Sequence, residues 1–136
     1  MVFRPGLLVI VPLLAACGRD TAKRDEGARV LRAIDQLVAA NDGAKAGPLA
    51  ALETTSCTDP PACEAKRACV AAFTPLVKSI ALRDDVRAAM RAPGAAASTE
   101  VFAAKVEAAE VAQKDAASKM DGCLSASAAA RRAYAQ

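Results

Sequence analysis

The sequence predicts an all-α protein: a small disulfide-stapled helical bundle of three or four helices with a long antiparallel C-terminal hairpin. The first observation is composition, because alanine, the strongest helix former, is the commonest residue of the 136-residue chain. The second is periodicity, because apolar residues recur at helical spacing in four segments separated by proline, glycine or asparagine. The third is a shortage of large apolar residues, so the thin core gains from covalent links between cysteines, of which the chain has five.

The N-terminal region contains an apolar run, Leu7–Ala16, that closely follows Arg4. The run is too short for a transmembrane helix, which needs about 20 apolar residues. A basic start, an apolar stretch and small residues at its end are typical of a secretory signal peptide. The alternative is a buried N-terminal helix, which Pro5 and Pro12 disfavour. We therefore predict a signal peptide over residues 1–16.

The run ends in the tetrapeptide LAAC, Leu14 to Cys17, which resembles the lipobox of bacterial lipoproteins. Small side chains suit the cleft of the signal peptidase, and only a thiol can form the thioether of the lipid. The resemblance implies that Cys17 receives a diacylglyceryl group, that cleavage occurs before it, and that the new amine is acylated. Cys17 is therefore the predicted lipidation site.

Lipidation would anchor the protein to a bilayer without a membrane-spanning helix. Each buried methylene contributes about 0.8 kcal/mol, and two or three acyl chains suffice for stable anchoring. Gly18 stands where aspartate would favour retention in the inner membrane, so the resemblance points to the outer membrane with the domain facing the periplasm. We predict a bacterial envelope location, a lipidated N-terminus and tether over residues 17–25, and a helical domain over residues 26–136.

The charge of the chain disfavours one class of partner. The formal net charge is +3, and it falls by one unit when Arg4 leaves with the signal peptide. Both signs are mixed along the chain and aromatic residues make up only 3%, so the basic surface with aromatic residues that binds nucleic acid is missing. The predicted partners are the membrane, through the lipid on Cys17, and an envelope protein.

Two helices are predicted in the first half of the domain. The first runs from about residue 26 to Ala40, and the sequence NDG at 41–43 ends it. The second is shorter, starts near Pro48, a favoured first-turn residue, and ends in the polar residues 54–56. Their apolar faces comprise Val30, Leu31, Ile34, Leu37 and Val38 in the first helix and Leu49 and Leu52 in the second.

Two longer helices are predicted in the second half. After the loop CTDPP, the third runs over about Pro61–Ala92, and Pro75 should kink or interrupt it. A turn at 91–98 leads to the fourth helix, about Ser98–Tyr134, where Tyr134 is expected to cap the end of the bundle. The predicted stripes are Cys69, Phe73, Leu76, Ile80, Val86 and Met90 in the third helix and Phe102, Val106, Ala109, Ala116, Met120 and Cys123 in the fourth.

Four cysteines remain after Cys17, and an even number in an exported domain predicts two disulfides. Facing residues of an antiparallel hairpin lie symmetrically about its turn, and the mean of positions 69 and 123 is 96, inside the predicted turn. This favours Cys69–Cys123 and leaves Cys57–Cys63 to close the corner before the third helix, although the other two pairings stay open. Zinc binding is disfavoured, because the chain has no histidine and the cysteine spacing is atypical.

No catalytic motif is visible, and we predict no catalytic residue, cofactor or metal. The absence of histidine removes the commonest general base. Asp84 and Asp85 are adjacent and point about 100° apart on a helix. Glu107 and Glu110 share a face, but the neighbouring i,i+4 pairs Glu110–Lys114 and Asp115–Lys119 are typical of a solvated surface. The sequence therefore predicts a protein that is not an enzyme.

These observations lead to a functional hypothesis with two alternatives. The hypothesis is a membrane-anchored envelope lipoprotein that acts as a non-catalytic interaction or accessory module facing the periplasm. The first alternative is a carrier or binding module for a small apolar or lipidic ligand, held in a cavity between alanine-rich helices. The second is a structural spacer that has neither partner nor ligand.

Overall fold

The computed structural model describes residues 15–91 and 99–135. It contains four helices: α1, Ala15–Ala39; α2, Ala46–Thr54; α3, Pro60–Arg91; and α4, Thr99–Tyr134. A short 3-10 turn, Asp42–Ala44, joins α1 to α2. The described ranges contain no strand, so the prediction of an all-α fold is confirmed.

Helices α3 and α4 pack along each other as a long antiparallel hairpin. The 32 residues of α3 span about 48 Å at 1.5 Å per residue. The helices come close enough for Cys69 and Cys123, whose Cα atoms are 4.4 Å apart, to form a disulfide. This close approach is possible because most buried hairpin residues are small, including Ala62, Ala65, Ala72 and Ser79 of α3 and Ala109, Ala112, Ala116, Ser127 and Ala130 of α4.

Helices α1 and α2 cover one half of the hairpin. We call the end of the hairpin at Pro60 and Tyr134 the base, and the end at Arg91 and Thr99 the tip. The core lies in the half nearer the base, because the large apolar residues of α1 and α2 pack there against α3. Its members include Val30, Leu31, Ile34, Leu37, Leu49, Leu52, Cys69, Ala72 and Phe73.

A buried lysine joins the end of α1 to the middle of α3. The last carbonyl groups of a helix have no partner within the helix and form the negative end of its dipole. Lys45 Nζ donates hydrogen bonds to the carbonyl oxygens of Leu37, Val38 and Ala40, at 3.4, 3.3 and 2.5 Å. The same ammonium lies 5.8 Å from the centre of the Phe73 ring, a distance that allows a cation–π contact.

The N-terminal part of α1 corrects one expectation. The helix begins at Ala15 rather than near residue 26, so residues 17–25, predicted as a tether, are helical. The segment contains no proline, and its alanine, arginine and lysine residues favour helix. Most of the predicted signal peptide lies outside the described residues. None of the described helices is long and apolar enough to cross a membrane.

Two other expectations can be compared with the structure. Helix α3 continues through Pro75 without interruption, since packing against α4 supports the turn that lacks one backbone hydrogen bond. Val38 is 49% exposed, because it lies at the edge of the apolar face of α1. The turn predicted at 91–98 lies outside the described residues, apart from Arg91 at the end of α3.

Candidate functional site

One carboxylate fastens α1 to the base of the hairpin. Glu26 accepts hydrogen bonds from the backbone N–H groups of Thr58 and Asp59, at 2.5 and 2.7 Å, and from the Thr58 hydroxyl at 2.8 Å. Thr58 and Asp59 immediately precede α3, where the chain has no helical partner for their N–H groups. Hydrogen bonds from the backbone of Asp59 and then of Thr58 hold the pKa of Glu26 below its ordinary value.

The last residue of α4 closes the same end. The Tyr134 hydroxyl donates a hydrogen bond to Asp59 Oδ2 at 2.6 Å. Its ring lies directly against Gly27 of α1, where an added Cβ would overlap the ring. Burial, and then the hydrogen bond to Asp59, raises the pKa of Tyr134 to about 12. The prediction that Tyr134 caps the end of the bundle is confirmed.

We call Glu26, Gly27, Thr58, Asp59 and Tyr134 the base network. Its most buried carboxylate, Asp59, is 8% exposed, and Lys23 Nζ lies 3.7 Å from its second oxygen. Within the described ranges, every buried side-chain nitrogen and oxygen has a hydrogen-bond partner. The polar groups of the base network therefore satisfy one another, and their role is to hold α1 on the hairpin.

The predicted lipidation residue is close to the base in sequence and in space. Cys17 is in the first turn of α1, six residues before Lys23, or about 9 Å along the helix axis. Lys23 contacts Asp59 at the base. Residues 18–25 are exposed. A lipid on Cys17 would therefore attach near the base, and the tip would be at the far end of the hairpin.

The part of the hairpin nearest the tip consists of α3 and α4 alone. We call residues 80–91 of α3 and 99–108 of α4 the tip arm. None of its residues is buried, because the core that α1 and α2 form ends before it. Met90 is 74% exposed, and Val101 and Val106 are 50% and 45% exposed. Toward the tip, the predicted stripes are therefore buried no farther than Ala109 of α4.

An apolar groove with charged borders runs along the tip arm. It has a volume of about 670 Å³, and its apolar lining comprises Val86, Met90, Phe102, Ala103 and Val106. Glu107 and Glu110 of α4 also line it, and an adjoining cleft places Arg83 and Arg87 of α3 beside Val86. The tip arm thus presents apolar side chains between cations on one helix and carboxylates on the other.

A second groove lies between α3 and α4 in the middle of the hairpin. Its volume is about 800 Å³, and most of its lining residues are small, among them Ala71, Pro75, Ala104, Ala108, Val111 and Ala112. Lys78 and Lys119 contribute positive charges and Glu107 and Asp115 negative ones. Lys119 is paired with Asp115 at 2.8 Å. We call this surface the mid-hairpin groove.

Both predicted disulfides are present. Cys57 and Cys63, with Cα atoms 5.3 Å apart, close the corner between α2 and α3. Cys69 and Cys123 are completely buried, and the Ser127 hydroxyl lies 3.4 Å from Cys69 Sγ while it donates a hydrogen bond to the Cys123 carbonyl oxygen at 2.8 Å. The hairpin symmetry about residue 96 therefore identified the correct pair.

Three residues of the base network were not predicted from the sequence: Glu26, Gly27 and Asp59. Asp59 carries a partial signal, because an aspartate before two prolines is a favoured start of a helix. Nothing in the sequence connects it with Glu26, which is 33 residues away. Gly27 likewise acquires its importance only when Tyr134 packs against it.

The described residues contain no group of three or more cysteine, aspartate or glutamate side chains that could hold a metal ion. Comparison of the chain with protein-family models, with curated proteins and with solved structures found no match. The function is therefore inferred from the residues and their arrangement.

Proposed function

We propose that the protein is a bacterial envelope lipoprotein that is anchored through Cys17 and contacts an envelope protein through its tip arm. It acts as a non-catalytic interaction or accessory module and faces the periplasm, with the outer membrane as the anchoring bilayer. The observation that carries the proposal is that the predicted lipidation residue and the exposed apolar surface are at opposite ends of the molecule. Cys17 is in α1 near the base, whereas Met90 and Val106 are on the tip arm.

The proposed anchor is supported by both sequence and geometry. The apolar run Leu7–Ala16 and the tetrapeptide ending in Cys17 resemble a lipoprotein signal. Residues 18–25 form an exposed part of α1, which separates Cys17 from the base network. An acyl chain on Cys17 could thus enter a bilayer without disturbing the core.

The tip arm is supported as the partner surface by the physics of a two-helix hairpin. Two helices bury only the faces they share, so apolar residues that flank the shared face stay exposed unless a third element covers them. Exposed apolar patches with polar borders are typical of protein-interaction sites. The expected partner surface is apolar and carries charges of both signs, opposite Arg87 and Glu110.

The anchor can be tested by measuring the mass of the protein extracted from membranes of the native host. We expect a chain that starts at an acylated Cys17, and a Cys17→Ser variant that lacks the acyl mass. Gly18→Ala is the matched control, because an added Cβ meets nothing at that position, and it should remain acylated. An unmodified chain that starts at Met1 with a free Cys17 thiol would overturn the anchor.

The tip arm can be tested with a photo-crosslinking residue placed at Val106. Val38 of α1 is the matched control, since the two valines are 45% and 49% exposed. In the native envelope we expect an adduct with one envelope protein from position 106 and none from position 38, and we expect Met90→Glu to abolish it. Equal adducts from both positions, or none from 106, would contradict the proposal.

The mid-hairpin groove favours a second candidate function, the binding of a small apolar or lipidic ligand. Its lining is mostly apolar and it is open along the hairpin, so an acyl chain could lie in it. Native mass spectrometry of gently extracted protein should then show bound lipid in addition to the chains on Cys17, and Ala108→Arg should remove it. Absence of such lipid would exclude this candidate, and absence of both lipid and crosslinked partner would leave the structural spacer.

A further inference from the structure

The two disulfides differ in their exposure to solvent. Cys69 and Cys123 are 0% exposed and lie where α3 meets α4. Cys57 and Cys63 are both partly exposed and lie at the corner between α2 and α3. Thiol–disulfide exchange requires an external thiolate to reach one of the two sulfur atoms. In the folded protein, the buried pair does not meet this requirement, whereas both cysteines of the corner pair line a groove that is open to solvent.

An open groove leads to the exposed pair. Its volume is about 610 Å³, large enough for a few residues of a partner chain. Its lining includes Cys57, Cys63, Glu53, Lys66, Arg67 and Val70. The groove is mostly apolar and carries two cations and one carboxylate, so it suits an extended thiol-bearing segment of another protein.

One of these cations, Lys66, lines the same groove as the disulfide. Cys63 is in the first turn of α3, and Lys66 and Arg67 follow it by three and four residues, so all three share one helix face. Lys66 Nζ donates hydrogen bonds to the carbonyl oxygens of Glu53 and Thr55, at 2.7 and 2.6 Å. These partners are neutral, so the charge of Lys66 is not cancelled.

The surroundings of the two sulfur atoms make Cys63 the better leaving group. A thiolate on Cys63 is stabilised by the N-terminal end of α3, in whose first turn it lies. Arg67 adds to this effect, although it is also paired with Glu64. Cys57 precedes the helix and lacks the helix dipole. A nucleophile that attacks Cys57 therefore expels the more stable thiolate.

We infer that Cys57–Cys63 is a thiol–disulfide exchange site that accepts two electrons from a dithiol protein, whereas Cys69–Cys123 is structural. A thiolate of the partner attacks Cys57 Sγ, and the S–S bond breaks with its electron pair on Cys63 Sγ. The second partner thiolate then attacks the partner sulfur of the mixed disulfide and releases Cys57 as a thiolate. The partner is oxidised to a disulfide, and the chain is reduced and takes up two protons.

Reduction at this corner reaches the base network directly. Cys57 is followed by Thr58 and Asp59, whose N–H groups hold Glu26. Asp59 also accepts the hydrogen bond from Tyr134. Opening the disulfide frees the loop that carries these contacts, so the redox state of the corner changes how firmly α1 is held.

The first test compares the reduction rates of the two disulfides with dithiothreitol as the probe. The full chain with Cys17→Ser, in mild detergent, contains only the four paired cysteines. The reduction is stopped at intervals by alkylation of the free thiols, and peptide mass mapping identifies the alkylated cysteines. We expect Cys57–Cys63 to be reduced at least about 10-fold faster than Cys69–Cys123, at a rate proportional to dithiothreitol concentration. Reduction of both pairs together at a concentration-independent rate, or of Cys69–Cys123 first, would overturn the inference.

The second test identifies the leaving group. After selective reduction, alkylation with limiting reagent near neutral pH should modify Cys63 about 3-fold or more faster than Cys57, because the thiolate is the reactive form. Arg67→Gln should narrow this ratio. Arg87→Gln is the matched control, because Arg87 is similarly exposed on α3 and also has an i,i+3 carboxylate partner. It should leave the ratio of the two alkylation rates unchanged. Faster alkylation of Cys57 would reverse the proposed direction of attack.

Discussion

The half of the molecule nearer the base and the tip arm are built from the same two long helices, yet they differ in nearly every contact. Near the base, α1 and α2 supply a third layer, and Val30, Leu37 and Leu52 are completely buried. In the tip arm, no residue is buried, and Met90 is 74% exposed. The hairpin is therefore a structural element at one end and a surface at the other.

This difference shows where the stability of the protein resides. Near the base, apolar burial, both disulfides, the lysine at the end of α1 and the base network all act on the same helices. The tip arm has only the contact of α3 with α4 and exposed ion pairs such as Lys105–Asp85, at 3.5 Å, which contribute little. Substitutions should therefore have large effects near the base and small ones in the tip arm.

The largest effect is expected from the buried disulfide. Replacing Cys69 and Cys123 together with alanine removes a link across a sequence separation of 54, and the loop-entropy estimate is about 4 kcal/mol of unfolding free energy. The matched double substitution at Cys57 and Cys63, with a separation of 6, should cost about 2 kcal/mol. Urea unfolding of the full chain measures both. A larger loss from the Cys57 and Cys63 pair would contradict this ranking.

A smaller loss of stability is expected from a valine-to-alanine substitution, and its size should differ between the base and the tip arm. Val30→Ala removes two methyl groups from a side chain that is 0% exposed and should lower the free energy of unfolding by about 2 kcal/mol. Val106→Ala in the tip arm, at 45% exposure, should change it by less than about 0.5 kcal/mol. Equal losses would mean that the tip arm is covered in solution, as in an oligomer.

The base network can be followed by its own chromophore, because Tyr134 is the only tyrosine of the chain. Near-ultraviolet absorbance should show it ionising with a pKa of about 12 in the folded protein. This pKa exceeds the ordinary value of 10. The contribution of protonated Tyr134 to the free energy of unfolding is therefore complete below pH 10 and is lost as pH rises toward 12. In the Tyr134→Phe variant, the free energy of unfolding should decrease less between pH 10 and 12.

Asp59→Asn supplies the control for this titration. The carboxylate raises the pKa of Tyr134 through a hydrogen bond and through its charge, so the substitution should move the folded midpoint down toward 10. An unchanged midpoint would assign the whole shift to burial and would remove Asp59 from the base network.

The smallest effect is expected from two glycines that lie in helices. Gly27→Ala places a Cβ against the Tyr134 ring and should destabilise the protein by about 1 kcal/mol, since the ring must move. Gly122→Ala places its Cβ in open space and should stabilise it by up to about 1 kcal/mol through helix propensity. Stabilisation of similar size by both, measured by thermal unfolding, would show that Tyr134 does not pack on α1.

Much of the fold could be predicted because it depends on short-range regularities. Helical spacing alone selected Ile34 and Leu37 as core residues, and both are buried. The pairing of Cys69 with Cys123 followed from the constant rise per residue of two antiparallel helices and from the position of one turn. The proline and glycine segments bounded the helices to within a few residues, except at the start of α1.

The sequence by itself determined which face of each helix is apolar, and only the tertiary structure decided which faces are covered. Phe102 and Val106 have the same periodicity as Cys123, yet only Cys123 is buried, because α1 and α2 end before the tip arm. The contacts of Glu26 with Asp59 and of Gly27 with Tyr134 were equally invisible in the sequence. Periodicity arises within a few residues of one helix, whereas coverage depends on the lengths and directions of helices that are far apart in the chain.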